Sequence, residues 1–196
     1  MRVLIACEYS GTVRDAFMAQ GHDAMSCDLL PTDSPGAHYQ GSVLDIIGDD
    51  WDLLIAFPPC TYLCSSGLHW NKRDLERTKK TESALEFVRT LLDAPIPRIA
   101  LENPVGCIST RIRKPDQYVQ PYNFGHDASK KTGLWLKGLP KLIGTDTVAP
   151  RMVGNKCRWA NQTDSGQNRL TPSPDRWKLR SATYQGIADA MAQQWG

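Results

Sequence analysis

Two short stretches of the chain bring together residue types that can work on an electrophilic ring. Phe57-Pro58-Pro59-Cys60 sets a thiol just beyond two prolines, directly after the apolar run Leu53-Leu54-Ile55-Ala56. Glu102-Asn103-Pro104 sets a carboxyl at the end of a second apolar run, Arg98-Ile99-Ala100-Leu101. Proline fixes φ and removes a backbone donor, so two in succession stiffen the exit from a strand and aim the next side chain reproducibly. A thiol held in that way suits a nucleophile. It attacks as the thiolate, which a helix N-terminus or a nearby cation favours. A glutamate at the end of a neighbouring strand can bond the ring that the sulfur attacks. Read singly, Cys60 is more often an inert buried filler than a nucleophile, and Glu102 reads as half of an ion pair; the pair together points to covalent catalysis.

Such residues need strands to carry them. Val3-Leu4-Ile5-Ala6 reads as a buried strand, Val13 to Gln20 as a short helix closed by Gly21, and Asp23 to Cys27 as a second strand ending in Asp28. A weak third element lies around Tyr39 to Val43, and Trp51 to Phe57 is a fourth strand, apolar enough for burial on both faces of a parallel sheet. Ala84, Leu85, Phe87, Val88, Leu91 and Leu92 recur at helical spacing between Asp74 and Asp93, and Pro95 and Pro97 stop that helix. Arg98 to Leu101 is a fifth strand. Alternating strands and helices with short connections predict an α/β fold with a doubly wound, mostly parallel sheet. In the second half Thr132 to Leu136 reads as a strand, Gly138 to Thr147 as loop, Ala149 to Pro174 has no clear period, and Ser181 to Trp195 returns to helix.

The whole composition sets bounds. At 196 residues, 41% hydrophobic and 22% charged, the chain suits a single globular domain spanning residues 1–196. A net charge of +2 gives no strong attraction to polyanions, so nucleic acid must be met by a local basic surface. The six cysteines form no CxxC pair, and no zinc site is expected. No apolar stretch approaches bilayer length, and the first residues are strand-like rather than those of a signal peptide, so no membrane contact and a cytoplasmic location are expected.

In open parallel sheets ligands lie beyond the carboxyl ends of the strands, where the strand order reverses. The first strand runs there into Cys7-Glu8-Tyr9-Ser10-Gly11, a small-residue loop before a helix, which is also a common plain turn. Asp28, at the end of the second strand, can accept both hydroxyls of a ribose or cap the following turn. Residues 145–178 contain Arg151, Lys156, Arg158, Trp159, Asn161, Gln162, Arg169, Arg176, Trp177 and Lys178. Cations interleaved with tryptophan and amides suit phosphate neutralisation and base stacking; the plainer alternative is a polar surface loop anchored by two tryptophans. Gly67 to Thr81, with His69, Trp70, Lys72, Arg73, Arg77, Lys79 and Lys80, is a second candidate surface just after the cysteine.

Pro58-Pro59-Cys60, Glu102-Asn103-Pro104, and the Tyr9-Ser10-Gly11 loop with Asp28 resemble the cytosine-C5 DNA methyltransferase family, especially its short phage and prophage members. The resemblance implies a Rossmann-like fold of the S-adenosylmethionine-dependent methyltransferase type. It implies Cys60 as the nucleophile that adds to C6 of cytosine and Glu102 as the acid engaging N3 and the exocyclic amine, with Pro59 and Asn103 beside them. C5 then takes the methyl group of S-adenosylmethionine, a base removes the C5 proton, and the sulfur leaves. The cofactor would be lined by Glu8, Tyr9, Ser10, Gly11, Asp28, Leu29, Asp45 and Pro58. DNA, with its target cytosine turned out of the stack, would be met by Lys130, Lys131, Arg151, Arg158, Trp159 and Arg176.

The chain departs from the family's pattern in four places. Val13 and Arg14 stand where further glycines are usual, Ser42 stands for an aspartate with Asp45 three residues on, Gln185-Gly186 stands for a Gly-Asn pair, and Lys130-Lys131 stand for a basic motif. Residues 145–178 replace a full target-recognition domain, which predicts low sequence specificity unless a second copy or a partner protein supplies contacts. Alternatives are the same chemistry on RNA, on a free nucleotide or with a modified cofactor, and a binding module that keeps the fold without turnover.

Overall fold

A computed structural model describes all residues from Met1 to Gly196. In chain order the elements are β1 (Arg2–Ala6), α1 (Thr12–Ala19), β2 (Asp23–Asp28), β3 (His38–Gln40), β4 (Leu53–Ala56), α2 (Ser65–Leu68), α3 (Leu75–Leu92) and β5 (Arg98–Pro104). There follow α4 (Ile108–Arg111), β6 (Gln117–Val119), β7 (Thr132–Lys137), β8 (Arg151–Val153), β9 (Lys156–Arg158), α5 (Arg176–Ser181) and α6 (Gln185–Trp195).

Seven strands form one sheet in the order β3-β2-β1-β4-β5-β7-β6. The first five are parallel, whereas β7 runs antiparallel to both β5 and β6. The chain winds outward from β1 to β3, then crosses back to lay β4 against the other side of β1. The order therefore reverses between β1 and β4, which opens a crevice at the carboxyl ends of these two strands.

Alternate residues of the central strands serve two cores, as the two-residue period of a strand requires. Val3, Ile5, Leu53 and Ile55 pack against Phe17 of α1 and Met191 and Trp195 of α6. Leu4, Ala6, Leu54 and Ala56 pack against Leu85, Val88 and Leu91 of α3. Burying each of the valine, leucine and isoleucine side chains among these contributes about 1.5–3 kcal/mol, which makes the strands a firm base for the loops they carry. The Asp74 carboxylate starts α3 by accepting the N–H of Arg77 at 3.0 Å. No helix is long and apolar enough to cross a membrane.

Four sequence expectations change. The weak element near Tyr39 is a strand over His38–Gln40 followed by a single 3-10 turn, Val43–Asp45, that Ser42 caps through its hydroxyl. β5 does not stop at Leu101, because antiparallel pairing with β7 carries it through Glu102↔Leu134 to Pro104↔Thr132. The aperiodic stretch after Ala149 contains the small hairpin β8-β9, whose three-residue strands are too short to show a period. The last helix begins at Gln185, with α5 a separate six-residue piece before it.

Candidate functional site

The cysteine loop leaves β4 and is bolted to the strand beside it. Asn103, buried near the end of β5, donates its Nδ2 hydrogen to the Pro58 carbonyl at 2.7 Å. Leu63 O accepts the Cys107 N–H at 2.8 Å and Val105 O accepts the Ser65 N–H at 3.1 Å, so the two loops pair as a short antiparallel bridge at Cys64 and Gly106. Gly106 sits so close to the Leu63 carbonyl that a Cβ there has no room. On the other side Arg77 and Thr81 of α3 donate to the carbonyls of Thr61 and Tyr62 at 3.0 and 3.1 Å. The Cys60 carbonyl closes the turn by accepting from Leu63 and Cys64. The Pro58-Pro59-Cys60 corner is thus held on two sides, by β5 with the loop after it and by side chains of α3, which leaves the half-buried thiol free of structural duty.

Glu102 and Cys60 come together as neighbours on adjacent strand ends. A narrow cleft, lined by Glu102, Phe57, Lys130, Thr132, Tyr184 and Met191 among others, lies at this end of the sheet. Cys60 does not line that cleft itself, but it lies near enough to Glu102 and Lys130 to feel both charges. Burial pushes the Cys60 thiol above its ordinary range, and Cys64 and Glu102 push the same way against Lys130 and a backbone hydrogen bond. The cation foreseen from sequence is present, as Lys130, yet it does not outweigh burial, and at rest the sulfur keeps its proton. Burial likewise raises Glu102, opposed by Lys130 and by a hydrogen bond from Thr132. A glutamate in that state can hold a proton and pass it to a ring nitrogen.

At the crevice between β1 and β4 the expected cofactor residues divide in two. Glu8 is buried and its carboxylate accepts the N–H groups of Val13 (2.7 Å) and Arg14 (3.3 Å) and the Ser10 hydroxyl (3.2 Å), so it caps α1 from within. Burial raises its pKa, and those bonds pull it down. The backbone N–H groups of Tyr9, Ser10 and Gly11 bond to no backbone acceptor. The Tyr9 hydroxyl meets Ser181 Oγ at 3.1 Å and the Lys178 carbonyl at 3.3 Å, with the Lys178 ammonium 5.4 Å from its ring centre. α5 therefore covers this loop. Asp28 caps the turn, Oδ1 accepting the Leu30 N–H at 2.9 Å, while Oδ2 has no partner in the chain and stands beside Leu29, which is 74% exposed. After burial, Asp28 is the next cause that pushes the Cys7 thiol up to about 12. Asp45 accepts from the Tyr39 hydroxyl at 3.2 Å, and Pro58 is engaged through its carbonyl by Asn103.

Arg14, standing where the family pattern has a small residue, is fully buried. Its guanidinium donates to Asp15, Ser26, Thr32 and the carbonyls of Ser34 and Pro35, and so sews the loop after β2 to α1. Gly186 packs against the Phe124 carbonyl with no space for a Cβ, which accounts for a glycine there.

The residues expected to meet nucleic acid are less uniform. Lys130 is in the cleft, whereas Lys131 lies over the Tyr118 ring at 4.2 Å. Arg151 pairs with Asp164 at 2.7 Å and Arg158 donates to the Asp164 and Cys157 carbonyls, so both brace their own segment. Trp159 stacks on Tyr122, ring centres 4.2 Å apart and 10° from parallel. Arg176 Nε is buried without a partner. Sequence reading missed Thr132 and Tyr184, which reach the cleft only because β7 folds back antiparallel and α6 begins beside it. No spacing along the chain signals either.

No model of a known protein family matches the chain, nor does any curated protein.

Proposed function

We propose that the protein transfers a methyl group from S-adenosylmethionine to C5 of cytosine in DNA, through a covalent bond from Cys60 to C6. The observation that carries this reading is the corner itself: a rigidly presented thiol just beyond β4 and a carboxyl on the adjacent strand β5, its pKa raised by burial, lie close to a narrow cleft. Pure binding needs neither group. The mostly parallel sheet with its reversed order between β1 and β4 suits the Rossmann-like fold that the family resemblance implies.

The crevice also fits the cofactor in its polar groups. Asp28 Oδ2 would accept the ribose hydroxyls, Leu29 would cover the adenine, and the N–H groups of Tyr9, Ser10 and Gly11 would receive the carboxylate that Glu8 keeps away from α1. Bound there, S-adenosylmethionine supplies an electrophilic methyl group. Glu102, protonated, bonds N3 and draws electron density from C6, so that the sulfur adds there as its proton passes to solvent water. Lys130 offsets the negative charge that then develops beside the two groups. After C5 has gained its substituent and lost its proton to a base, the C6–S bond breaks, the ring keeps its double bond, N3 returns its proton to Glu102, and the thiolate regains a proton from solvent water.

A second reading, C5 modification of a free nucleotide or RNA, gains from the internal pairing of Arg151 and Arg158, which leaves fewer cations for a duplex. Incubation with cofactor and DNA containing 5-fluorocytosine separates the two. A covalent adduct on DNA that Cys60→Ala abolishes supports the first; an adduct formed only on RNA or on the mononucleotide supports the second; none on any substrate overturns both.

A further inference from the structure

One side chain of the aperiodic stretch after Ala149 reaches into the loop that carries Lys130. Asn161 Oδ1 accepts the Ser129 N–H at 2.9 Å, and Asn161 Nδ2 donates to the Ser129 carbonyl at 3.0 Å. A neighbouring strand would make the same two bonds; here a side-chain amide makes them for a loop without one. The next N–H, that of Lys130, goes to Gln120 Oε1 at 2.9 Å. Asn161 is itself held in place, because Ala160 N–H bonds Asp127 Oδ1 at 2.8 Å and Trp159 stacks on Tyr122. From this anchored backbone the Lys130 ammonium reaches the Ala182 carbonyl at 3.4 Å and lines the cleft with Glu102.

We propose that Asn161 is a positioning residue for Lys130, its paired bonds to Ser129 fixing the loop so that the ammonium stands in the cleft with Glu102, within electrostatic reach of Cys60. The inference goes beyond the methyl-transfer reading and rests on it only in taking this corner as the reactive one. Its consequence is chemical. Cys64, Glu102 and Lys130 are the titratable groups that bear on the Cys60 thiol, and Lys130 alone of them favours the thiolate. The segment standing in for a recognition domain thereby acts on the reactive sulfur through one amide.

The test is the rate at which iodoacetamide alkylates Cys60, read by peptide mass spectrometry from neutral to alkaline pH on the full chain. At neutral pH Lys130→Met should slow the reaction about tenfold and Asn161→Ala about threefold, while thermal melts stay cooperative. In a Lys130→Met background Asn161→Ala should add nothing, which a merely structural role would not produce. Should Asn161→Ala fail to fold, Asn161→Asp keeps the acceptor for Ser129 and loses only the donor; comparing it with and without Lys130 removes the effect of its own charge. An unchanged rate in a folded Asn161 variant overturns the proposal, as does an equal drop with and without Lys130. Alkylation needs neither DNA nor cofactor, so this result and the 5-fluorocytosine result stand or fall separately.

Discussion

The cysteine corner and the segment 145–178 both carry residues suited to chemistry, and the structure uses them in opposite ways. At the corner backbone carbonyls of Pro58, Thr61, Tyr62, Leu63 and Val105 take the bonds, the side-chain donors Asn103, Arg77 and Thr81 come from β5 and α3, and the Cys60 thiol takes no part. In the segment no long strand or helix does that work, so side chains do it. Arg151, Arg158 and Arg169 all bond their own loop carbonyls or Asp164, and Trp159 is laid on Tyr122. Lys156, exposed beside the hairpin turn, has no such partner. A reactive residue type is free to react where secondary structure relieves it of structural work, and a basic residue in a loop is first a strut.

The sharpest way to break this contrast is at Cys60. Cys60→Ala should abolish the 5-fluorocytosine adduct while leaving the melting temperature within a few degrees of the parent, since a side chain without structural duty contributes little stability. A large loss of stability would show that the thiol is a structural filler after all. Glu102→Gln should lower turnover by about two to four orders of magnitude, measured as methyl transfer at saturating substrate, because the amide cannot pass a proton to the ring.

A third change attacks the backbone bolt rather than the chemistry. Gly106→Ala pushes a Cβ into the Leu63 carbonyl and should cost about 1–3 kcal/mol by denaturant titration. Adduct formation should fall with it as the two loops part. In the segment the expectation reverses: Arg158→Met should lower stability by about 1 kcal/mol and change DNA affinity little, whereas Lys156→Ala should weaken DNA binding by a few fold with no change in melting. If Arg158→Met weakens binding as its main effect, the strut assignment is wrong.

A smaller effect sharpens the same contrast through pH. The Cys60 thiol is raised by burial, so less of it is ionised at neutral pH than for an unburied cysteine. The Cys60 alkylation rate in the folded chain should therefore keep rising into the alkaline range, beyond the pH at which an ordinary free thiol has levelled off. A rate that levels off in the ordinary thiol range would contradict the raised thiol.

Much of the fold was legible because its signals are local. The apolar runs at Val3, Leu53 and Arg98 are strands, and the spacing from Ala84 to Leu92 lies within α3, as a two- or 3.6-residue period requires. The candidate corner was legible for the same reason, since Pro58-Pro59-Cys60 follows one apolar run that announces itself and Glu102-Asn103 continues another, although β5 extends through them. Glu8 was less legible: its place in the loop suggested a ligand contact, while its carboxylate turns inward to cap α1. Nothing in its neighbours along the chain distinguishes those two uses.

The sequence alone determined where the apolar strands run and which residue types stand close to their carboxyl ends, because strand formation and proline stiffness act over a few residues. Only the tertiary structure decided that β7 runs back against β5, that Thr132, Lys130 and Tyr184 therefore reach Glu102, and that Asn161 grips Ser129 from 32 residues away. Those contacts depend on where the sheet order reverses and on how distant segments close on it, and burial, which sets the proton affinities of Cys60 and Glu102, exists only once they have closed.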